Sequence, residues 1–177
     1  MSVRIDLESS IRSIPDFPKQ GILFRDITTL LQNKKAFKYA VNALVAKFRK
    51  KKIDVVVAVE ARGFILGGAI AHKLGAGFIP VRKKGKLPWR TKSVTYELEY
   101  GTDTLEIHED ALKPGLRVLI VDDLLATGGT VKAVTELVES QGAKITGIAF
   151  VIELIDLSGR SKLSKYPVVS LVKFKGE

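Results

Sequence analysis

The chain has 177 residues, 46% hydrophobic and 27% charged, which suits one domain with a substantial core. It has no cysteine, which excludes disulfides and thiolate metal sites, and shows neither a signal-peptide pattern nor an apolar run long enough to span a membrane. Its 29 Lys and Arg against 19 Asp and Glu give a net charge of +10, which calls for an anionic partner, from nucleic acid to a phosphorylated small molecule.

Ser2 to Ser13 is expected to form a short N-terminal helix. Ile14 to Phe24 carries Pro15, Pro18 and Gly21 and reads as loop. From Lys34 to Lys51, apolar residues recur at three and four positions (Phe37, Ala40, Val41, Leu44, Val45, Phe48), which predicts an amphipathic helix. The basic run Lys47, Arg49, Lys50, Lys51 and Lys52 suits the C-terminal end of that helix and its dipole. Asp54 to Val59 is a continuous β-branched run, as in a strand buried on both faces. Gly63 to Leu74 reads as a helix whose small residues permit close packing, and Phe78 to Val81 as another buried strand.

Lys83 to Ser93 has no periodicity and reads as a loop. Thr95 to Tyr100 and Thr104 to His108 alternate apolar and polar around Gly101-Thr102-Asp103, which predicts a hairpin. Val118 to Asp122 is a strand, Thr130 to Gln141 a helix, and Ile145 to Ile152 and Val168 to Val172 are strands. Strands alternating with helices imply an α/β fold: a central, mostly parallel twisted sheet flanked by helices. With no repeat or linker, residues 1–177 form one domain, with the hairpin and its loop at about 83–108.

Chemistry concentrates in Val118 to Thr130, V-L-I-V-D-D-L-L-A-T-G-G-T. Asp122 and Asp123 follow a buried strand, the end at which open α/β sheets bind ligands. Adjacent carboxylates repel and cost desolvation unless a ligand satisfies them. The turn Ala126-Thr127-Gly128-Gly129-Thr130 leads into a helix, whose converging N–H groups suit a phosphate. Two carboxylates for a vicinal diol beside a phosphate cradle describe a ribose 5-phosphate site. The nucleotide triphosphatase pattern is excluded because no lysine follows Gly128-Gly129.

This run resembles the phosphoribosyl-pyrophosphate (PRPP) motif of the type I phosphoribosyltransferases, in particular their adenine-specific branch. Phe24-Arg25-Asp26-Ile27, Glu60-Ala61-Arg62-Gly63-Phe64, Arg82-Lys83-Lys84-Gly85-Lys86-Leu87-Pro88 and Leu98-Glu99-Tyr100-Gly101 agree with it in order and approximate spacing. The resemblance implies that fold, with a flexible β-hairpin hood, and the reaction of adenine with PRPP to AMP and pyrophosphate, with Mg²⁺ brought by substrate and no dedicated protein ligand for it. It implies that Asp122 and Asp123 hold the ribose, that Ala126, Thr127, Gly128, Gly129 and Thr130 cradle the 5-phosphate, and that Glu60, Ala61 and Arg62 form a pyrophosphate loop with a cis peptide at Glu60-Ala61. Arg82, Lys83 and Lys86 would meet the pyrophosphate. Phe24 and Leu154 would sandwich the adenine, with the backbone around Leu23 and Arg25 reading its edge. Glu99 would act as base at purine N9 and Tyr100 would help position the closing loop. On the residues alone, Glu97 and Glu99 are equivalent.

The resemblance further implies a homodimer and a cytoplasmic enzyme of purine salvage that binds neither membrane nor nucleic acid. A 6-oxopurine or xanthine phosphoribosyltransferase is the competing enzyme. A PRPP-sensing regulator that binds nucleic acid is the competing class, compatible with the charge but lacking an added DNA-reading module.

Overall fold

The computed structural model describes residues 5–97 and 101–176. Its centre is a seven-stranded sheet. The strands are β3 (Val55–Val59), β4 (Gly77–Lys83), β5 (Thr91–Glu97), β6 (Thr102–His108), β7 (Arg117–Leu125), β8 (Lys144–Leu154) and β9 (Val168–Phe174), in the order β5-β6-β4-β3-β7-β8-β9. The five strands from β4 to β9 in that order are parallel, while β5 and β6 form an antiparallel hairpin joined to β4 through β6. A separate pair, β1 (Arg12–Ile14) and β2 (Phe24–Asp26), precedes the sheet.

The period-2 alternation of buried strands divides the core. Val56, Ala58, Leu119 and Val121 join one cluster with the apolar faces of α2 (Lys34–Phe48) and α3 (Arg62–Leu74). Their neighbours Val57, Val59, Val118 and Ile120 join the other, with α4 (Gly129–Ser140) and the hairpin residues Leu105 and Ile107. Each side chain points opposite to the next, so a run without polar residues serves both layers at once. The predicted helices at α2, α3 and α4 and every predicted strand are present, several of them longer than expected, and residues 98–100 of the strand expected over Thr95 to Tyr100 lie outside the described residues.

The N-terminal helix is not. Residues 6–11 form turns, because Asp6 Oδ1 accepts the N–H groups of Glu8 (3.0 Å) and Ser9 (3.4 Å), while the Ser9 and Ser10 hydroxyls donate to the Asp6 carbonyl at 3.1 Å. Such local side-chain bonds compete with the helical ladder. Sequence reading also missed β1 and β2, the short helix α1 (Thr28–Gln32), and the 3₁₀ turns at Ile155–Leu157 and Gly159–Leu163. Each is too short to display a period.

Candidate active site

β3 and β7 are neighbours, but β3 connects onward to β4 on one side and β7 to β8 on the other. Their C-terminal ends therefore diverge at a topological switch point, where α/β sheets hold ligands. The expected strand end at Asp122 falls short, since β7 runs to Leu125. β3 pairs with β7 only as far as Val121, while β8 pairs with it through Leu125. Beyond Val121 the strand is thus held on one side, and its acids face open space on the other.

That space is a cavity of about 380 Å³. Into it converge Glu60, Ala61 and Arg62 from the end of β3, Asp122 and Asp123 from β7, and all five residues of the turn Ala126–Thr130. The Glu60-Ala61 peptide is cis, as the resemblance implied. Arg62 Nε donates to Asp123 Oδ2 at 2.5 Å, and Asp122 Oδ1 accepts the Asp123 N–H at 2.8 Å. Burial, and then the adjacent Asp123 charge, push the Asp122 carboxyl well above the usual range. α3 starts against this carboxylate: a Cβ on Gly63 would lie 2.8 Å from Asp122 Oδ1.

The turn beyond is shaped by backbone contact. Gly128 has φ +77° and precedes α4, and no side chain among the described residues caps that helix. With no side-chain cap from Gly128, the first N–H groups of α4 suit an anion. Gly159, from the 3₁₀ turn after β8, packs on it so closely that a Cβ there would lie 2.0 Å from the Ala126 carbonyl oxygen and 2.8 Å from Gly128 N. Sequence reading missed Gly159, whose role depends on a partner more than thirty residues away.

The basic loop is divided. Lys83 lines the cavity and pairs with Asp103 at 3.1 Å. Arg82 and Lys86 are held by Glu60: Arg82 Nε donates to one carboxylate oxygen at 2.6 Å and Lys86 Nζ to the other at 2.9 Å. Burial alone would raise the Glu60 carboxyl, but the hydrogen bonds from Lys86 and Arg82 outweigh it and hold the group below its ordinary value. Glu60 is therefore a tether for two cations. Tyr96 of β5 and Asp103 of β6 also line the cavity, and neither was singled out from sequence. Tyr96 and Asp103 are cross-strand partners, so the hairpin presents one face to the site.

The base-site candidates form a second group, outside the lining of this cavity. Phe24 in β2 is partly buried and meets the Phe17 ring edge-on, centroids 5.1 Å apart. Leu23 precedes it. Arg25 donates to Ser13 Oγ at 2.6 Å and lies 4.0 Å over the Phe174 ring. Leu154, at the end of β8, is the register partner of Phe174. Arg25 and Leu154 thus meet the chain at the same aromatic residue. Asp26 links the two groups electrostatically: its carboxyl is lowered first by the Thr28 N–H, and its charge also acts on Arg62. Glu99 and Tyr100 lie outside the described residues.

A parallel sheet whose switch point presents paired acids, a glycine turn and cations defines a phosphoribosyl-transferring class. Residues 27–175 match the phosphoribosyl transferase domain. The chain is 58% identical to the adenine phosphoribosyltransferase of Clostridium tetani, over 96% of this chain and 99% of that protein. It superposes on the crystal structure of adenine phosphoribosyltransferase from Thermoanaerobacter pseudethanolicus with TM-score 0.92 at 55% identity, covering 95% of this chain and 98% of the other. The Saccharomyces cerevisiae adenine phosphoribosyltransferase, crystallised with an imino-altritol bisphosphate and adenine, gives TM-score 0.89 at 44% identity, covering 94% and 96%. The chain belongs to the adenine phosphoribosyltransferase family.

Proposed function

We propose that this protein transfers the 5-phosphoribosyl group of PRPP to N9 of adenine, giving AMP and pyrophosphate in purine salvage. The observation that carries this reading is the convergence of paired carboxylates, an uncapped helix N-terminus and the Arg62 and Lys83 cations on one cavity, in a chain similar throughout to adenine phosphoribosyltransferases. Asp122 and Asp123 accept hydrogen bonds from the ribose diol, and the turn Ala126–Thr130 donates to the 5-phosphate. Charge develops on the leaving pyrophosphate, so Arg62 and Lys83 matter most in the transition state, with Arg82 and Lys86 held beside them by Glu60. Glu99 takes the N9 proton as the C1–N9 bond forms, and Tyr100 positions the loop that carries it. Phe24 and Leu154 hold the purine, and backbone groups near Leu23 and Arg25 read its edge.

Magnesium fits this donor set as an ion carried by PRPP. Among the described residues no group of three or more His, Cys, Asp or Glu could cage a metal. Mg²⁺ commonly binds through substrate phosphates and retained waters. When bound, it neutralises pyrophosphate charge.

We also propose a cytoplasmic homodimer. The absence of cysteine suits a reducing compartment, and no helix among the described residues is long and apolar enough to cross a membrane.

The test is a base panel of adenine, hypoxanthine, guanine and xanthine with PRPP and Mg²⁺, following pyrophosphate release. Adenine is expected to turn over alone at a useful rate. Rapid turnover of guanine with none of adenine overturns the reading.

A further inference from the structure

Tyr96 is the one aromatic side chain lining the cavity among the described residues, and it comes from the hairpin rather than from the parallel sheet. Its hydroxyl lies 3.4 Å from Thr130 Oγ1, in the contact where Thr130 is the donor. That distance is too long for a strong O–H···O bond. It does leave two hydroxyls side by side at the start of α4, close enough to address one phosphate group. The strand carrying Tyr96 also runs against the turn: the Glu97 carbonyl oxygen would lie 3.5 Å from a Cβ on Gly129, and the Tyr96 ring 3.7 Å.

The surroundings keep this hydroxyl a donor. Burial pushes the Tyr96 phenol above its ordinary value, so it stays protonated at neutral pH. Its cross-strand partner Asp103 is engaged by Lys83 at 3.1 Å, which places a cation rather than a bare carboxylate across the cavity. An anion seated at the start of α4 therefore meets a neutral O–H donor from the hairpin, with Lys83 offsetting the Asp103 charge beside it.

We propose that Tyr96 is a binding residue for the 5-phosphate, donating its hydroxyl to the anion that the glycine turn and Thr130 hold from the other side. This rests on the phosphoribosyl-transfer reading of the same cavity. It adds a hairpin side chain to an anion cradle otherwise built from the glycine turn and the start of α4.

The test is Tyr96→Phe, which keeps the ring and removes only the hydroxyl. Thermal unfolding of the ligand-free variant checks that the ring still packs. Calorimetric titration with ribose 5-phosphate should show affinity about tenfold weaker than wild type, as for a lost hydrogen bond to a charged group. Titration with magnesium pyrophosphate should stay within about twofold, because that anion sits at the β3 end of the cavity. In turnover, KM for PRPP should rise while KM for adenine holds. Ribose 5-phosphate affinity within about twofold of wild type overturns the proposal. Equal weakening of both anions also overturns it, and so does a wild-type protein that does not bind ribose 5-phosphate. Loss of ribose 5-phosphate binding in Tyr96→Phe, in a protein that does not turn over adenine, supports the Tyr96 assignment and sinks the adenine reading separately.

Discussion

The turn after β7 and the β5–β6 hairpin face each other across one cavity, yet they are built by different physics. The turn is fixed by backbone contact. Gly128 and Gly159 touch where no side chain fits, and Gly63 lets α3 abut Asp122. Interiors packed this closely do not deform in small steps. The hairpin's base is anchored by β6 pairing with β4 and by buried Leu105 and Ile107, but its cavity-facing end meets the site through polar side chains: Lys83 to Asp103, and Tyr96 beside Thr130. Contacts of that kind are individually weak and replaceable. A close-packed cradle facing polar groups of the hairpin suits an enzyme that must hold a phosphate in one place and then exclude water around a reactive ribose.

That contrast breaks most visibly at the proposed base. Glu99→Gln should lower kcat by about 10²- to 10⁴-fold, the usual worth of general-base help. Single-turnover assays would expose an effect confined to product release.

On the rigid side, Gly159→Ala forces a methyl group into the Ala126 carbonyl. It should cost about 1–3 kcal/mol of stability, typical of overpacking, and raise KM for PRPP while leaving KM for adenine nearly unchanged. Denaturant titration and steady-state kinetics measure the two effects. A fully stable variant with normal PRPP kinetics would show that the turn is softer than its contacts suggest.

Asp122→Asn should move stability and function in opposite directions. Folded Asp122 keeps its proton to higher pH than the unfolded chain does, so its contribution favours the fold below the unfolded value of 3.8 and is lost as pH rises through the raised value. Above that window the variant, which removes the buried charge and its repulsion with Asp123, should be more stable without ligand by on the order of 1 kcal/mol. It should also bind PRPP more weakly. Thermal unfolding from pH 4 to 8 gives the sign. The smallest effect belongs to Glu97→Gln: Glu97 is exposed, and kcat should change by less than about threefold.

The same contrast explains what could be read from the chain. The cradle was legible because its chemistry is contiguous: Asp122 to Thr130 contains both acids, the glycines and the hydroxyls. The parallel strands and long helices were legible because they are long enough to show a period. The hairpin was legible as a hairpin, and strand alternation puts Tyr96 on the face opposite Glu97. That this face meets α4 follows from β6 joining the sheet beside β4, which no local pattern encodes. Gly159 was hidden for the same reason. The ion pairs of Arg82 and Lys86 with Glu60 were hidden because a basic loop advertises its charge and not its partner. The N-terminal helix was misread because Asp6 side-chain bonding won over apolar spacing. The base site was reached only by resemblance, since Phe24 sits in a three-residue strand and carries no signal of its own.

The central claim is that the cradle after β7, with Tyr96 beside it, binds PRPP, and that Glu99 performs the proton transfer. Calorimetric PRPP affinity of Glu99→Gln, set beside its kcat, tests this most directly. The account predicts PRPP affinity within about twofold of wild type, with kcat down a hundredfold or more. Affinity and kcat falling together by similar factors would contradict it.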